Sequence, residues 1–299
     1  MNGSQMEIEK YMAEAKQQVD CCLDELLAKE AQEPPTIHRA MRYSVFAGGK
    51  RVRPILVLAA GESVGGARRV LLPLACAIEM IHTYSLIHDD LPALDNDDLR
   101  RGVPTCHKVF GEAMAILAGD SLMTRCYQIL TELPDVSGAT RLAIVREISY
   151  ATGTIDGMIG GQVVDLESEG KDIGPETLEY IHRAKTGALL AACARCGGLA
   201  GAADTRQMEA LSAYGRSIGL AFRIVDDILD VTSSTKDLGK TAGKDQKMKK
   251  ATYPALYGVE ASRRKARELT NAAIETAGEI GPRAEPLLGI AQFILRRTA

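Results

Sequence analysis

The 299-residue chain reads as all-α, one bundle of long helices, and three observations predict this. It is 46% apolar but only 4% aromatic with no Trp, so its core must be built from aliphatic helix formers. Apolar residues recur with helical spacing over most of the length. The interruptions carry Gly or Pro, no stretch alternates convincingly as a sheet strand, and no Ser/Gly-rich linker divides the chain. A single domain over residues 1–299 is therefore expected.

Taken in order, residues 6–31 alternate apolar and charged positions as an amphipathic helix does, and Pro34-Pro35 ends the run. Further helices are predicted over 36–46, 54–64, 70–91, 111–132, 141–159, 175–199, 206–231, 251–279 and 284–297. Between them stand Gly65-Gly66, Gly102-Val103-Pro104, Leu133-Pro134-Asp135, Gly174-Pro175 and Gly281-Pro282.

Composition narrows the function. A formal net charge of −3 argues against general nucleic-acid binding, which needs a basic excess. Seven cysteines without framework spacing point to a reducing compartment. Cys193 and Cys196 form a lone CxxC in an Ala-rich run, better read as helix packing than as a zinc site. No apolar run reaches the ~20 residues that span a bilayer, so no membrane insertion is expected. Glu7, Glu9, Asp20 and Asp24 do not suit a signal or transit peptide, and the expected location is cytoplasmic.

The chemistry lies in two acidic clusters. The first, HDDLPALDNDD, holds Asp89, Asp90 and Asp95; the second, VDDILDV, holds Asp226, Asp227 and Asp230. Each closes an apolar run, where unpartnered carboxylates are disfavoured because desolvating an ion costs several kcal/mol. Asp226 and Asp230 stand at i and i+4, on one helix face. In the first cluster Pro92 interrupts the helix, and a local distortion must bring Asp95 near Asp89. Oxygen donors without matched His or Cys suit Mg²⁺ or Mn²⁺. One such cluster could be a solvated helix end; two point to metal ions shared with an anionic substrate such as a diphosphate.

Cations accompany both clusters. Gly48-Gly49-Lys50-Arg51-Val52-Arg53-Pro54 sets three of them behind two small residues, though a surface turn has the same composition. It is not a phosphate-binding Walker loop, and near Lys240 the required upstream Gly is Ser234. Arg100 and Arg101 follow the first cluster, Lys185-Thr186 sits within a helix, and Lys240, Lys244 and Lys250 follow the second. Each could be a solvated charge; the repeated order of carboxylates and then cations favours a phosphate site.

These residues resemble the trans-isoprenyl diphosphate synthases, the family of farnesyl and geranylgeranyl diphosphate synthases. The resemblance runs over 37–297 and rests on GGKRVRP, HTYSLIHDDLPALDNDDLRRG, GQVVDL, KT at 185–186, FRIVDDILDV, GKTAGKD and KATYP. It looks nearest to the bacterial farnesyl type, with plant-type geranylgeranyl relatives close by. It implies a helical bundle around a deep central cavity, usually dimeric, so a homodimer is expected. The implied reaction is head-to-tail condensation of isopentenyl diphosphate with dimethylallyl or geranyl diphosphate, with three Mg²⁺ per site and Mn²⁺ able to substitute.

Residue by residue, the resemblance implies that Asp89 and Asp95 bind two magnesium ions, assisted by Asp90 and Asp165. Asp226 would hold the third, helped by Asp227, Asp230 and Asp245. Arg100, Lys185 and Lys240, with Lys250 nearby, would grip the allylic diphosphate. Lys50, Arg53, His82 and Arg101 would seat isopentenyl diphosphate. Thr186 and Gln162 would stabilise an allylic cation. Tyr84 and Ser85, five and four positions before Asp89, would set product length, and the Tyr84 ring favours fifteen carbons over twenty. Arg223, expected near the substrate, departs from the family, which usually has Gln there. It either puts a permanent charge near the expected cation or turns toward a diphosphate or a second-cluster carboxylate.

Three rivals carry less. A terpene cyclase would not need the Lys50, Arg53 and His82 set. A phosphohydrolase built on His88-Asp89 would want further His ligands with acidic partners. A non-catalytic subunit should have lost one acidic cluster, and both are intact.

Overall fold

Proline and glycine set many of the helix limits. In the computed structural model, residues 3–232 and 252–297 are described. Pro35 opens α2 and Pro175 opens α9, where the missing proline N–H breaks no helical bond. Ser137 caps α7 by accepting from the Thr140 N–H at 3.0 Å. The first half of the bundle comprises α1 (Gly3–Leu26), α2 (Pro35–Val45), α3 (Val52–Ser63), α4 (Arg68–Asp89), α5 (Cys106–Phe110), α6 (Glu112–Thr131) and α7 (Gly138–Thr152). The second comprises α8 (Met158–Ser168), α9 (Pro175–Ile181), α10 (Ala188–Ala200), α11 (Thr205–Thr232), α12 (Tyr253–Tyr257), α13 (Val259–Ile280) and α14 (Glu285–Arg296).

Several features differ from the sequence reading: α1 ends at Leu26 rather than 31, and the short α5 was not foreseen. The predicted helix 141–159 ends at Thr152, and α8 was not foreseen. The predicted helix 175–199 is interrupted by a π turn, His182–Gly187. The predicted helix 251–279 is cut at Gly258, whose φ of +80° suits glycine, into α12 and α13. Two short strands, β1 (Leu99–Arg100) and β2 (Val103–Pro104), pair antiparallel after the first acidic cluster.

The core sits around α3, α4, α10 and α11. From Pro54 to Gly61 every residue of α3 is buried, and α3 packs against both α4 and α10. α4 corrects the expectation that no apolar run reaches membrane-spanning length: by length and composition it does. Its position explains this, because 72% of its most apolar window is buried inside the protein. Each fully buried Leu or Ile there contributes about 1.5–3 kcal/mol.

Arg51 fastens α1, α2 and α4 to the start of α3. Its Nε donates to Asp20 at 2.8 Å, Nη1 to Glu79 at 2.7 Å and Nη2 to the Val45 carbonyl at 2.7 Å. Burial opposes the charge on Arg51, but Glu79 and Asp20 more than compensate and hold its pKa above the usual value.

Candidate active site

The first acidic cluster leaves α4 where Pro92 cannot continue it. The chain then folds back on the helix end. The Asp95 N–H donates to the Asp89 carbonyl at 2.8 Å, and the Asp97 N–H to the Asp90 carbonyl at 3.1 Å. Asp89 and Asp95 are thereby brought together by the distortion that the sequence demands. Asp89 and Asp95 are half-buried, whereas Asp90 is only 3% exposed.

The β1–β2 hairpin returns two arginines to this region. Its two-residue turn, Arg101-Gly102, has φ of +56° and +82°, the conformation that matches strand twist in a tight hairpin. Arg100 Nε lies 3.0 Å from Asp90 Oδ1, and its Nη2 lies 3.2 Å from Asp97 Oδ2. Burial lifts the Asp90 carboxyl to about 6, with Arg100 opposing that rise. Arg101 donates to the Gly48 carbonyl. It also fills the space beside Gly49, where a Cβ would fall 2.5 Å from its Cζ. The Arg101 guanidinium could shift from such a Cβ; it is the φ of +113° at Gly49 that calls for glycine.

A cationic group gathers around His82. Arg53 Nη1 lies 3.2 Å from His82 Nε2, and Arg53 Nε is buried without a hydrogen-bond partner among the described residues. Burial, then Arg53, Arg101, Arg100 and Arg51, push the His82 pKa well below its usual value, so the ring is neutral. Burial also lowers the pKa of Arg53 and Arg101, and that of Lys50. Lys50 sits 5.8 Å from the Phe293 ring centroid. Asp226 supports the charge of both Lys50 and Arg53, so the second acidic cluster lies within electrostatic reach. Arginines crowded into low dielectric call for an anion, and phosphate oxygens supply one.

The second cluster stays within α11. Asp226 is half-buried, and Arg297, beyond the end of α14, places Nη1 2.9 Å from its Oδ1. The Arg297 guanidinium also covers the Phe222 ring at 5.1 Å. Asp230 is buried at 3% exposure. Asp227 is fully buried and turned elsewhere. Its Oδ1 lies 3.0 Å from Arg223 Nη2, its Oδ2 lies 3.1 Å from His182 Nε2, and it accepts from the Tyr253 N–H at 3.0 Å.

Across the bundle, Lys185 in the π turn reaches Asp165 of α8 at 2.7 Å. Gly161 makes this possible: a Cβ there would stand 2.3 Å from the Lys185 backbone nitrogen. Beside it, both polar atoms of the Gln162 amide are buried with no partner among the described residues. Thr186 is half-buried in the same turn. Tyr84 is 7% exposed and meets the His88 ring edge-on at 5.6 Å, while Ser85 Oγ donates to the His82 carbonyl at 2.8 Å. Lys240, Asp245 and Lys250 lie outside the described residues.

Sequence reasoning missed His182 and Tyr253 as partners of Asp227, and Asp97 as a second anion for Arg100. A buried histidine three residues before Lys185 was the available signal for the first. The donors of both clusters are carboxylate oxygens, the hard ligands that suit magnesium. Among the described residues no three His, Cys, Asp or Glu side chains form a closed cage. A divalent ion at these clusters would thus need oxygens from a second source, and a diphosphate provides them.

Comparison with known proteins bears on this geometry. The polyprenyl synthetase family model matches residues 34–281. The chain is 47% identical over 299 residues to a chloroplastic geranylgeranyl pyrophosphate synthase of Catharanthus roseus, covering 99% of this chain and 83% of that protein. It is 48% identical over 264 residues to the farnesyl diphosphate synthase of Geobacillus stearothermophilus, covering 88% of each. Among solved structures, the Legionella pneumophila geranyltransferase superposes with a TM-score of 0.88 at 35% identity, covering 99% of both chains. A Zymomonas mobilis FPP/GFPP synthase gives 0.86 at 37% identity, covering 97% of this chain and 99% of that one. The helical bundle, the paired acidic clusters and these likenesses agree, and the chain belongs to the polyprenyl synthetase family of prenyltransferases.

Proposed function

We propose that the chain condenses isopentenyl diphosphate with dimethylallyl and geranyl diphosphates and stops at farnesyl diphosphate. One observation carries the fifteen-carbon limit: Tyr84, five residues ahead of Asp89 on α4, is a buried ring packed on His88. Five residues are about 7–8 Å along a helix, the reach of an isoprene unit or more, so a ring at that depth blocks a longer tail.

Asp89, Asp95 and Asp226 are the carboxylates that would hold magnesium, with Asp165 and Asp230 beside them. Bound there, three Mg²⁺ would neutralise the diphosphate as it departs. Arg100 and Lys185, with Lys240 and Lys250, grip that diphosphate. Arg53, Lys50, Arg101 and the neutral His82 seat the isopentenyl partner. As the allylic C–O bond breaks, the Gln162 amide and Thr186 hydroxyl stabilise the cation in a site poor in water. The isopentenyl double bond forms the new C–C bond, and the departing diphosphate takes the proton. No protein nucleophile is required.

The protein is proposed to reside in the cytoplasm and to work as a homodimer. Ile116 and Leu117, 44% and 53% exposed on α6, suit a second copy. Light scattering on the purified protein tests the dimer.

The test of function is a magnesium-dependent assay with isopentenyl diphosphate in excess and either allylic starter, sizing the alcohol released by phosphatase. Farnesol supports the reading. Geranylgeraniol would keep the reaction and remove Tyr84 from its role; the 47–49% identity to plant geranylgeranyl synthases makes that the second reading.

A further inference from the structure

Adjacent residues on a helix are turned about 100° apart, so the two carboxylates of Asp226-Asp227 cannot share one face. Asp226 is half-buried, and Asp227 is enclosed. Three parts of the chain meet at Asp227. His182 opens the π turn and is 1% exposed. Tyr253 opens α12, gives its N–H to Asp227, and stacks on the His182 ring at 5.6 Å and 21°. Arg223 reaches Asp227 from one turn earlier on α11.

We propose that Asp227 is a positioning residue rather than a metal ligand: it fastens the π turn and the start of α12 to α11, with Arg223 balancing its charge. The physical need lies in the π turn, a wider and less favourable geometry that persists only where tertiary contacts hold it. Were the turn to relax to α-helix, one residue would leave it, and flanking side chains would rotate by about 100°. Lys185 and Thr186 sit inside that turn, Lys185 with its Nζ 2.7 Å from Asp165. Losing the His182 contact would therefore displace the groups that face the allylic diphosphate while leaving Asp226 on its helix.

Of the two Asp227 oxygens, Oδ2 accepts from the Tyr253 N–H at 3.0 Å and Oδ1 faces Arg223 Nη2 at 3.0 Å. Arg223, at the position where the family resemblance expects Gln, thus serves Asp227 and does not need a substrate partner to explain its charge.

The catalytic arm of the test rests on the prenyltransferase reading; the other two do not. Asp227→Asn keeps the shape and guards against an Asp227→Ala protein that fails to fold. Hydrogen exchange by mass spectrometry should rise about tenfold or more in peptides covering 182–187 and 252–257 of Asp227→Asn, and remain unchanged in α4. Mn²⁺ titrated with inorganic pyrophosphate and read by electron paramagnetic resonance should bind within about threefold of the unsubstituted protein, whereas Asp226→Asn should lose about 10–100-fold. In turnover, kcat should fall about 10–100-fold with little change in isopentenyl KM, and Arg223→Gln should restore part of that loss by removing the unbalanced cation. Unchanged exchange together with Mn²⁺ affinity lost as in Asp226→Asn would overturn the proposal. Absence of condensation by the unsubstituted protein would strike the functional reading alone.

Discussion

The two acidic clusters solve one geometric problem in two ways. On α11 the aspartates remain in the helix, and the i, i+4 spacing of Asp226 and Asp230 gives one face directly. At the end of α4, Pro92 halts the helix, and a folded-back loop returns Asp95 to Asp89 through backbone hydrogen bonds. In both, the first aspartate is half-buried and the second is buried on an arginine, Asp90 on Arg100 and Asp227 on Arg223. The lesson is a division of labour: of two neighbouring carboxylates, one is presented and the other anchors. The loop form needs its anchor to place a cation as well, since Arg100 arrives on the hairpin that Asp90 secures.

The largest test of this comparison removes the presented members. Asp89→Ala and Asp226→Ala should each lower kcat by about 10³-fold or more, since each removes charge stabilisation of several kcal/mol. Equal losses would confirm that the clusters share the load. Next come the anchors. Asp90→Ala leaves the half-buried Arg100 with Asp97 and the more distant charge of Asp89, and should lower unfolding stability by about 1–3 kcal/mol in urea. A loss below about 1 kcal/mol would show the anchor to be dispensable.

Lys50→Ala and Arg53→Ala should raise the isopentenyl KM about tenfold to a hundredfold with kcat less affected, by loss of charge-assisted contacts. A fall in kcat alone would place them elsewhere. The smallest effect concerns His82. Its folded pKa is depressed, so the unfolded chain binds the proton first as pH falls. Its contribution to stability is complete above about pH 6.5 and declines as pH drops towards the folded value. His82→Gln should flatten that part of the stability profile between about pH 6.5 and 5 by urea titration; an unaltered slope would exclude His82 as its source.

Much of this site was legible because its chemistry is repetitive: hard oxygen donors occur twice, and cations follow each set. Long-range pairing was not legible. Residue type alone does not separate Arg51 from Arg53, and only the family resemblance singles out Arg53; Arg51 meets Asp20 and Glu79 while Arg53 meets His82. Which arginine is structural depends on α1 and α4, packed from far along the chain. The break before α8 was missed because 141–159 keeps its apolar rhythm through Gly153 and Gly157. The π turn leaves no mark in apolar spacing, since one extra residue per turn is absorbed within a single turn. His182 could not be paired from sequence because its acidic partner, Asp227, stands on another helix.

Gly161 has a consequence for how this protein can vary. With Lys185's backbone nitrogen 2.3 Å from where any Cβ would sit, the smallest side chain must separate α8 from the turn carrying Lys185 and Thr186. A mutational library should find this position closed even to alanine, while neighbouring Val163, 46% exposed, accepts polar replacements freely. Tolerance along α8 will therefore change from none to wide within two residues, a sharper boundary than distance from the carboxylates alone would draw.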